Sequence, residues 1–488
     1  MKKIKYNIKS TVFFVLLTMI VSCSDDFVDV ASEDENSEDF FNSEEDYQSA
    51  LIGAYDLLQS TYLNVMLGEI ASDNTLAGGE SASDTPGIQE IDDMVHTPVN
   101  AQLRDIWSWM YAGVNRANYI MEFHDKTDFA GKEEVIAQTR FLRAYYYFEL
   151  VKWFGDVPLA IDRRILFGEE TDFDRAPKED VYALIEEDLQ FAADNLPAIQ
   201  AETGRVTQGA ARALLGKVYL FQDKFSEAAT VLDQVIAGPY DLVTDYESIF
   251  EQEGENNIES VFEVQYTDEE GAGFGCLQCS EGNVAVGFNG IRNYSGPLFE
   301  SGFSFNIPTQ EVVDTFEAGD IRLDVAILDI DAWAADQGAT FSTGFEHTGY
   351  FNRKYIARQG DLNTGDANLT NPNNYRAIRF ADVLLMAAEA HNKKSPSNDG
   401  QALIYLNRVR SRAQLGDVTA TGAALTDAIY QERRVELVGE GHHFFDLVRT
   451  GRAATEIDGF VTGKHELFPI PLIEIQLAGN RWEQNPGY

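Results

Sequence analysis

Residues 207–239 read TQGAARALLGKVYLFQDKFSEAATVLDQVIAGP. Leu215, Gly216, Tyr219, Ala228, Leu232 and Val235 alternate large and small at helical spacing across two segments. Small residues let two helices approach closely, and large ones fill the next groove. The stretch is therefore a helix pair that cannot bury its apolar faces alone and must stack on neighbours.

The spacing is that of a tetratricopeptide repeat, with Pro239 one place early. Residues 380–412 read as another such pair with an insertion at its turn. Further helices follow the same periodicity. Ser43 and Asp46 form a capping-box pattern ahead of Tyr47, Leu51, Ala54 and Leu58. Ile106, Met110, Val114, Ala117 and Ile120 share one face. Phe141, Tyr145, Phe148 and Val151 share another, ending at Gly155. Val181, Ile185, Leu189 and Ala192 line a helix with Asp174 as its expected cap and Pro177 in its first turn. Two regions differ. Residues 72–100 are polar and Gly-rich and read as a long loop. From about 258, Phe262, Val264 and Tyr266 alternate like a strand. Glycines, asparagines and many aromatics follow to about 356 without helical period. The expected fold is mainly α: tetratricopeptide-like helix pairs form a scaffold, and an irregular, loop-rich half with short strands packs against it.

The 488 residues carry a net charge of −43, with 44% hydrophobic and 12% aromatic residues. This is a globular chain with a sizeable core. The acidic balance disfavours nucleic acid and anionic headgroups as partners. Lys2, Lys3, Lys5 and Lys9 precede a short apolar run at 11–21 (TVFFVLLTMIV), with Cys23 directly after Ser22. That is a secretory leader ending in a lipobox-like cysteine, so residues 1–22 read as a lipoprotein signal peptide and Cys23 as the lipidation site. Residues 23–40 form an acidic, flexible tether. The membrane is thus reached through the lipid anchor only. Cys276 and Cys279 form a lone CxxC. A structural zinc site needs four ligands, which leaves a local disulfide or two thiols as the favoured readings.

Seven segments, in order, resemble the SusD/RagB family of Bacteroidetes surface lipoproteins. They are 140–159 (RFLRAYYYFELVKWFGDVPL), 175–197 (RAPKEDVYALIEEDLQFAADNLP), 204–219 (GRVTQGAARALLGKVY), 379–390 (RFADVLLMAAEA), 403–413 (LIYLNRVRSRA), 432–449 (ERRVELVGEGHHFFDLVR) and 467–488 (LFPIPLIEIQLAGNRWEQNPGY). Ser24-Asp25-Asp26 resembles the acidic surface-export signal of Bacteroidetes lipoproteins. The resemblance implies one domain over 41–488, with the helical scaffold at about 41–257 and 372–488. The glycan-facing insert would then occupy about 258–371, together with loop 72–100. It also implies a non-enzymatic protein at the outer-membrane surface. Such a protein binds oligosaccharide or polysaccharide and serves a SusC-like TonB-dependent outer-membrane transporter. Residues 71–94 (ASDNTLAGGESASDTPGIQEIDDM) look like members tied to neutral β-glucans, with laminarin the first choice and fructan, alginate and xylan open. The alternatives are a peptide-binding RagB-type scaffold and a glycoside hydrolase. The hydrolase would need a carboxylate pair that 80 acidic residues neither reveal nor exclude.

Sugar rings stack on aromatic planes while their hydroxyls take polar side chains. The glycan-binding candidates are Asp73, Asn74, Trp109, Phe288, Arg292, Tyr294, Trp333 and Tyr350. Each has a structural alternative: turn or cap formation for Asp73 and Asn74, core packing for the aromatics, a surface ion pair for Arg292. Arg322, Arg353, Lys354 and Arg358 also lie in the irregular half and would suit an anionic glycan if they lined the site. Arg433, Glu436 and Asp446 are expected on one helix with Val435 and Leu437 and read as buried ion pairs. No cofactor or metal residues are assigned. Structural calcium is common in extracellular glycan binders, but no EF-hand-type Asp loop is present.

Overall fold

A computed structural model describes residues 40–360 and 368–488. The leader, Cys23 and nearly all of the tether lie outside the described residues. The helices of the scaffold are α1 (Glu44–Asp56), α2 (Tyr62–Ile70), α3 (Ala101–Glu122), α4 (Lys132–Phe154), α5 (Lys178–Asn195), α6 (Gln208–Leu220), α7 (Phe225–Ile236), α8 (Phe380–Lys393), α9 (Asp399–Arg412), α10 (Ala423–Leu437) and α11 (His443–Arg449). Consecutive helices from α3 to α7 pack on one another, and α8 packs on both α7 and α9.

Local chemistry sets these boundaries. Ser43 and Asp46 cap α1 reciprocally, and Tyr47, Leu51 and Ala54 face inward. Helix α4 stops at Gly155, whose φ of 71° favours glycine. Thr207 caps α6. At the α6–α7 crossing a Cβ on Gly216 would lie 2.5 Å from Leu232, so the small-against-large spacing is a close approach between the two helices. Asp174 does not cap α5. Pro177 holds that position, and the Asp174 carboxylate pairs with Arg481 instead.

Short strands in two-stranded pairs form the irregular half and its junction with the scaffold: β1 (Thr75–Gly78), β2 (Ser260–Val264), β3 (Phe305–Pro308), β4 (Ile327–Asp329), β5 (Tyr350–Asn352) and, at the junction, β6 (Tyr375–Arg379). β1 pairs antiparallel with β3, β2 with β6, and β4 with β5. Loop 72–100 is thus more ordered than its composition suggests. It contributes β1 and a short helix, Pro86–Asp92, whose Ile88 and Ile91 are buried.

Charge holds the two halves together. The Glu436 carboxylate on α10 takes Arg322 (2.9 Å) from the irregular half, Arg379 (2.9 Å) from the end of β6 and Arg412 (2.5 Å) from α9. Arg322 also binds Asp320 and Glu432, and Arg379 binds Glu259 and Glu440. Lys354 reaches Glu440 at 2.7 Å. Burial works to raise the Glu436 pKa, but Arg412, Arg379 and Arg322 outweigh it and hold the group well below the usual carboxylate range. A second set links Arg433 to Asp382 and Asp446, and Arg449 to Glu389. His442 lies beside it, lining a cavity of about 50 Å³ with Asn64, Glu149, Lys152 and Lys217. Burial and the Lys217 charge push its imidazole down to about 3.

Two outcomes follow from these buried charges. Glu436→Gln leaves three guanidinium groups short of a counter-charge and should cost about 3–5 kcal/mol of unfolding free energy; a denaturant titration showing under about 1 kcal/mol would contradict the role given to the carboxylate. The native chain keeps His442 neutral down to about 3, while the unfolded chain takes a proton near 6.5. This contribution is present above pH 6.5 and is lost as pH falls toward 3. His442→Gln should therefore flatten the fall in melting temperature across that window, as scanning fluorimetry at stepped pH would register.

Candidate functional site

Three segments of the irregular half meet at one surface: the turn after β1, residues 291–295 and residues 340–347. Gly78 and Gly79 let the first segment lie close. A Cβ on Gly78 would sit 2.3 Å from the Ser304 carbonyl, and one on Gly79 would strike the Phe305 ring at 2.8 Å. Gly79 N–H donates to Ser304 O, and Phe345 N–H donates to Gly79 O. The other two segments run side by side. Ser342 N–H donates to Arg292 O, Ser295 and Thr340 exchange backbone bonds, and Asn293 Nδ2 donates to Ser342 Oγ at 3.2 Å.

Arg292 ties this rim together. Its guanidinium donates to Phe303 O (2.6 Å) and Ser304 Oγ (3.0 Å), and it faces Asp84 and Glu80 at 3.6 and 3.8 Å. Beneath it runs a ladder of rings: Phe303 on Phe288 at 5.7 Å, Phe288 on Phe305 at 5.3 Å. On the other side Trp333 rests against Phe299 at 5.2 Å, and its Nε1 donates to the Tyr294 hydroxyl, which donates to Pro297 O. Trp333, Phe303, Phe341, Phe345 and His347 are half-buried, while Asn293 and Glu80 are exposed. The result is two groups of partly exposed rings, one at Phe303 and one at Trp333 and Phe341, bordered by carboxylates, an amide and hydroxyls.

The electrostatics are one-sided. Burial, with help from Glu346 and Asp93, pushes Asp92 up to about 7. Burial and Asp93 also raise Glu346. Both carboxylates accept from β1, Asp92 from Ala77 N–H and Glu346 from Gly78 N–H. The other cations of the irregular half are occupied elsewhere. Arg322 and Lys354 lie in the Glu436 network, Arg353 pairs with Glu247 and Arg358 with Glu251.

The structure brings Arg292 and Trp333 to this rim, whereas Tyr294 and Phe288 are each only 8% exposed, Tyr294 with its hydroxyl held between Trp333 and Pro297 and Phe288 against Phe303. The other candidates lie apart. Asp73 is bonded to Arg434 and His443. Asn74 is fully buried between Glu69 and Arg434. Trp109 packs in the scaffold core near Tyr62. Tyr350 sits on β5 with its hydroxyl on Gln310. Asp73, His443 and Glu456 bring three potential metal-ligand atoms within 4.8 Å of one another. Arg434 and Arg452 already neutralise the two carboxylates, an arrangement that disfavours a cation. Sequence reasoning did not single out Phe303, Phe345, Glu80 or Asp84. The Gly-Gly pair at 78–79 followed by acids was the available signal. Cys276 and Cys279 are joined as a disulfide.

Residues 246–466 match the model of the SusD family, and residues 26–220 match one described as starch-binding, associating with the outer membrane. A solved laminarin-binding SusD-like protein is 36% identical, covers 92% of this chain and 100% of its own, and superposes with a TM-score of 0.84. This chain belongs to the SusD family. A second solved structure, surface glycan-binding protein A from Bacteroides thetaiotaomicron in complex with laminarihexaose, is 28% identical over 91% of this chain and 99% of its own, with a TM-score of 0.81. A SusD-like protein of Formosa agariphila is 28% identical over 99% of this chain and all of its own. The family description supports association with the outer membrane, and glycan binding is the property for which the similar solved proteins are named. Among the described residues no helix is long and apolar enough to cross a membrane.

Arg292→Ala should loosen the rim without touching the scaffold. Amide exchange over residues 79–84 and 303–304 should accelerate while α3–α7 stay protected. Unchanged exchange in the rim would mean that the β1–β3 pairing alone holds it.

Proposed function

We propose that this SusD-family protein captures a neutral β-glucan of the laminarin type at the rim built by residues 79–84, 291–295 and 340–347. The observation that carries the reading is the pair of partly exposed ring groups fixed beside hydroxyl-binding side chains. Trp333 and Phe303 offer faces to the apolar C–H side of sugar rings. Asn293, Glu80, Asp84 and Ser342 are placed to take hydroxyls. The acid-rich surroundings, with Arg292 already paired, favour uncharged sugar over uronate or sulfated chains. The laminarin-binding and laminarihexaose-bound relatives support the same choice.

The protein works by holding, not by cleaving. Its place is the outer face of the outer membrane, held through a lipid on Cys23. From there it passes captured chains to a SusC-like TonB-dependent transporter. A shallow rim buries little of each sugar, so single-site affinity is modest and rises with the number of rings engaged.

An affinity gel of the soluble chain from Ser24, run with laminarin, alginate, levan, xylan and starch, decides the matter. Laminarin should retard it, and no new reducing ends should appear on incubation. Trp333→Ala should abolish that retardation while the far-ultraviolet spectrum stays native. Retardation by alginate alone, or retardation of the variant by laminarin as strong as that of the native chain, would contradict the site as drawn.

A further inference from the structure

Residues 267–281 form a closed loop whose contacts the rim itself does not require. Thr267 N–H donates to Glu281 O at 2.9 Å and shuts the base. On the return limb the Cys276–Cys279 disulfide closes a single turn, Leu277–Cys279. That turn packs against Leu57–Thr61 of the scaffold, and Leu277 is partly buried there. The outward limb is different. Phe274 stands between Gly273 and Gly275, where an added Cβ would meet nothing within 4 Å. Its ring is 59% exposed, yet it lies 5.7 Å from Phe303 at an interplanar angle of 58°. It therefore continues the Phe288–Phe303 ladder outward into solvent.

A bare phenylalanine flanked by glycines would ordinarily wander, because glycine leaves the backbone many conformations to lose. Here the loop is tied at its base, pinned to the scaffold by Leu277 and shortened by a covalent bond that begins two residues after the ring. Such ties lower the entropy cost of ordering the ring on a ligand.

We infer that Phe274 is an outer stacking residue for a sugar unit beyond those on the rim, and that the Cys276–Cys279 disulfide positions it. This rests on the glycan reading above and extends it. Chains long enough to run from the rim over Phe303 to Phe274 gain a contact that short oligosaccharides cannot reach. Phe274 touches ligand, and the disulfide acts only through it.

The test compares polymeric laminarin with laminaritriose on the native chain, Phe274→Ala, Phe274→Trp and the double variant Cys276→Ser/Cys279→Ser, by titration calorimetry. Phe274→Ala should weaken laminarin binding about five- to tenfold and leave the trisaccharide within about twofold. Phe274→Trp should restore the polymer affinity. The double serine variant should show the same polymer-selective loss at an unchanged melting temperature, which a merely stabilising disulfide would not produce. Equal loss on both ligands, or full polymer affinity in Phe274→Ala, overturns the outer stacking role while leaving the rim intact. Loss in Phe274→Ala without loss in the serine variant removes the disulfide from the proposal. A native chain that binds neither ligand overturns the glycan reading and this extension with it.

Discussion

The fold depends on one buried carboxylate. Glu436 sits where a scaffold helix, the strand that leads into α8 and the irregular half converge, and it accepts an arginine from each direction. Removing several charges from water is costly, and the cost is recovered only when every lone pair and guanidinium proton has a partner. The arrangement tolerates little displacement. A hydrophobic contact would let the irregular half slide on the helices, whereas a forked arginine–carboxylate bond does not. The network therefore acts more as a register than as a source of net stability.

The rim inherits that register. Arg322 and Lys354 fix the stretch that contains β4 and β5, and β5 in turn packs beside β3, which carries the turn after β1. Loops that would otherwise adapt to a ligand are held by backbone pairs and by Arg292. Their half-exposed rings would then need little reordering on binding a ligand of the proposed kind. Much of the acidity beside the rings is drawn toward β1 backbone groups rather than left free, so it sets the local potential without blocking the ring faces.

The sequence exposes the scaffold because its rules are local. A Ser-x-x-Asp pattern is a cap wherever it stands, and Gly216 against Leu232 is a close approach that spacing alone predicts. Arg433, Glu436 and Asp446 could be read as buried ions because apolar residues neighbour them in sequence, although the chain turns between α10, which carries the first two, and α11, which carries Asp446. The site obeys no such local rule. Phe274 and Phe288 both lie among glycines and asparagines, yet one is out in solvent and the other under a second ring. Asp73 and Asn74 follow a helix as turn residues do, and their fate is set by Arg434 from the far end of the chain. Exposure of an aromatic ring is decided by what folds over it, and that partner is remote in sequence.

The β1–β3 pairing carries a consequence for how the chain folds. Thr75 meets Pro308, and Arg322 meets Glu436, so neither contact forms until long stretches between them are ordered. The antiparallel helices from α3 to α7 have no such wait. Closing a long loop costs entropy before its contacts repay it, so pairings of this kind arrive late and slowly. The contacts that close the rim thus carry a larger loop-closure cost than those between successive helices of α3–α7, and the rim is the part of the fold most dependent on remote partners.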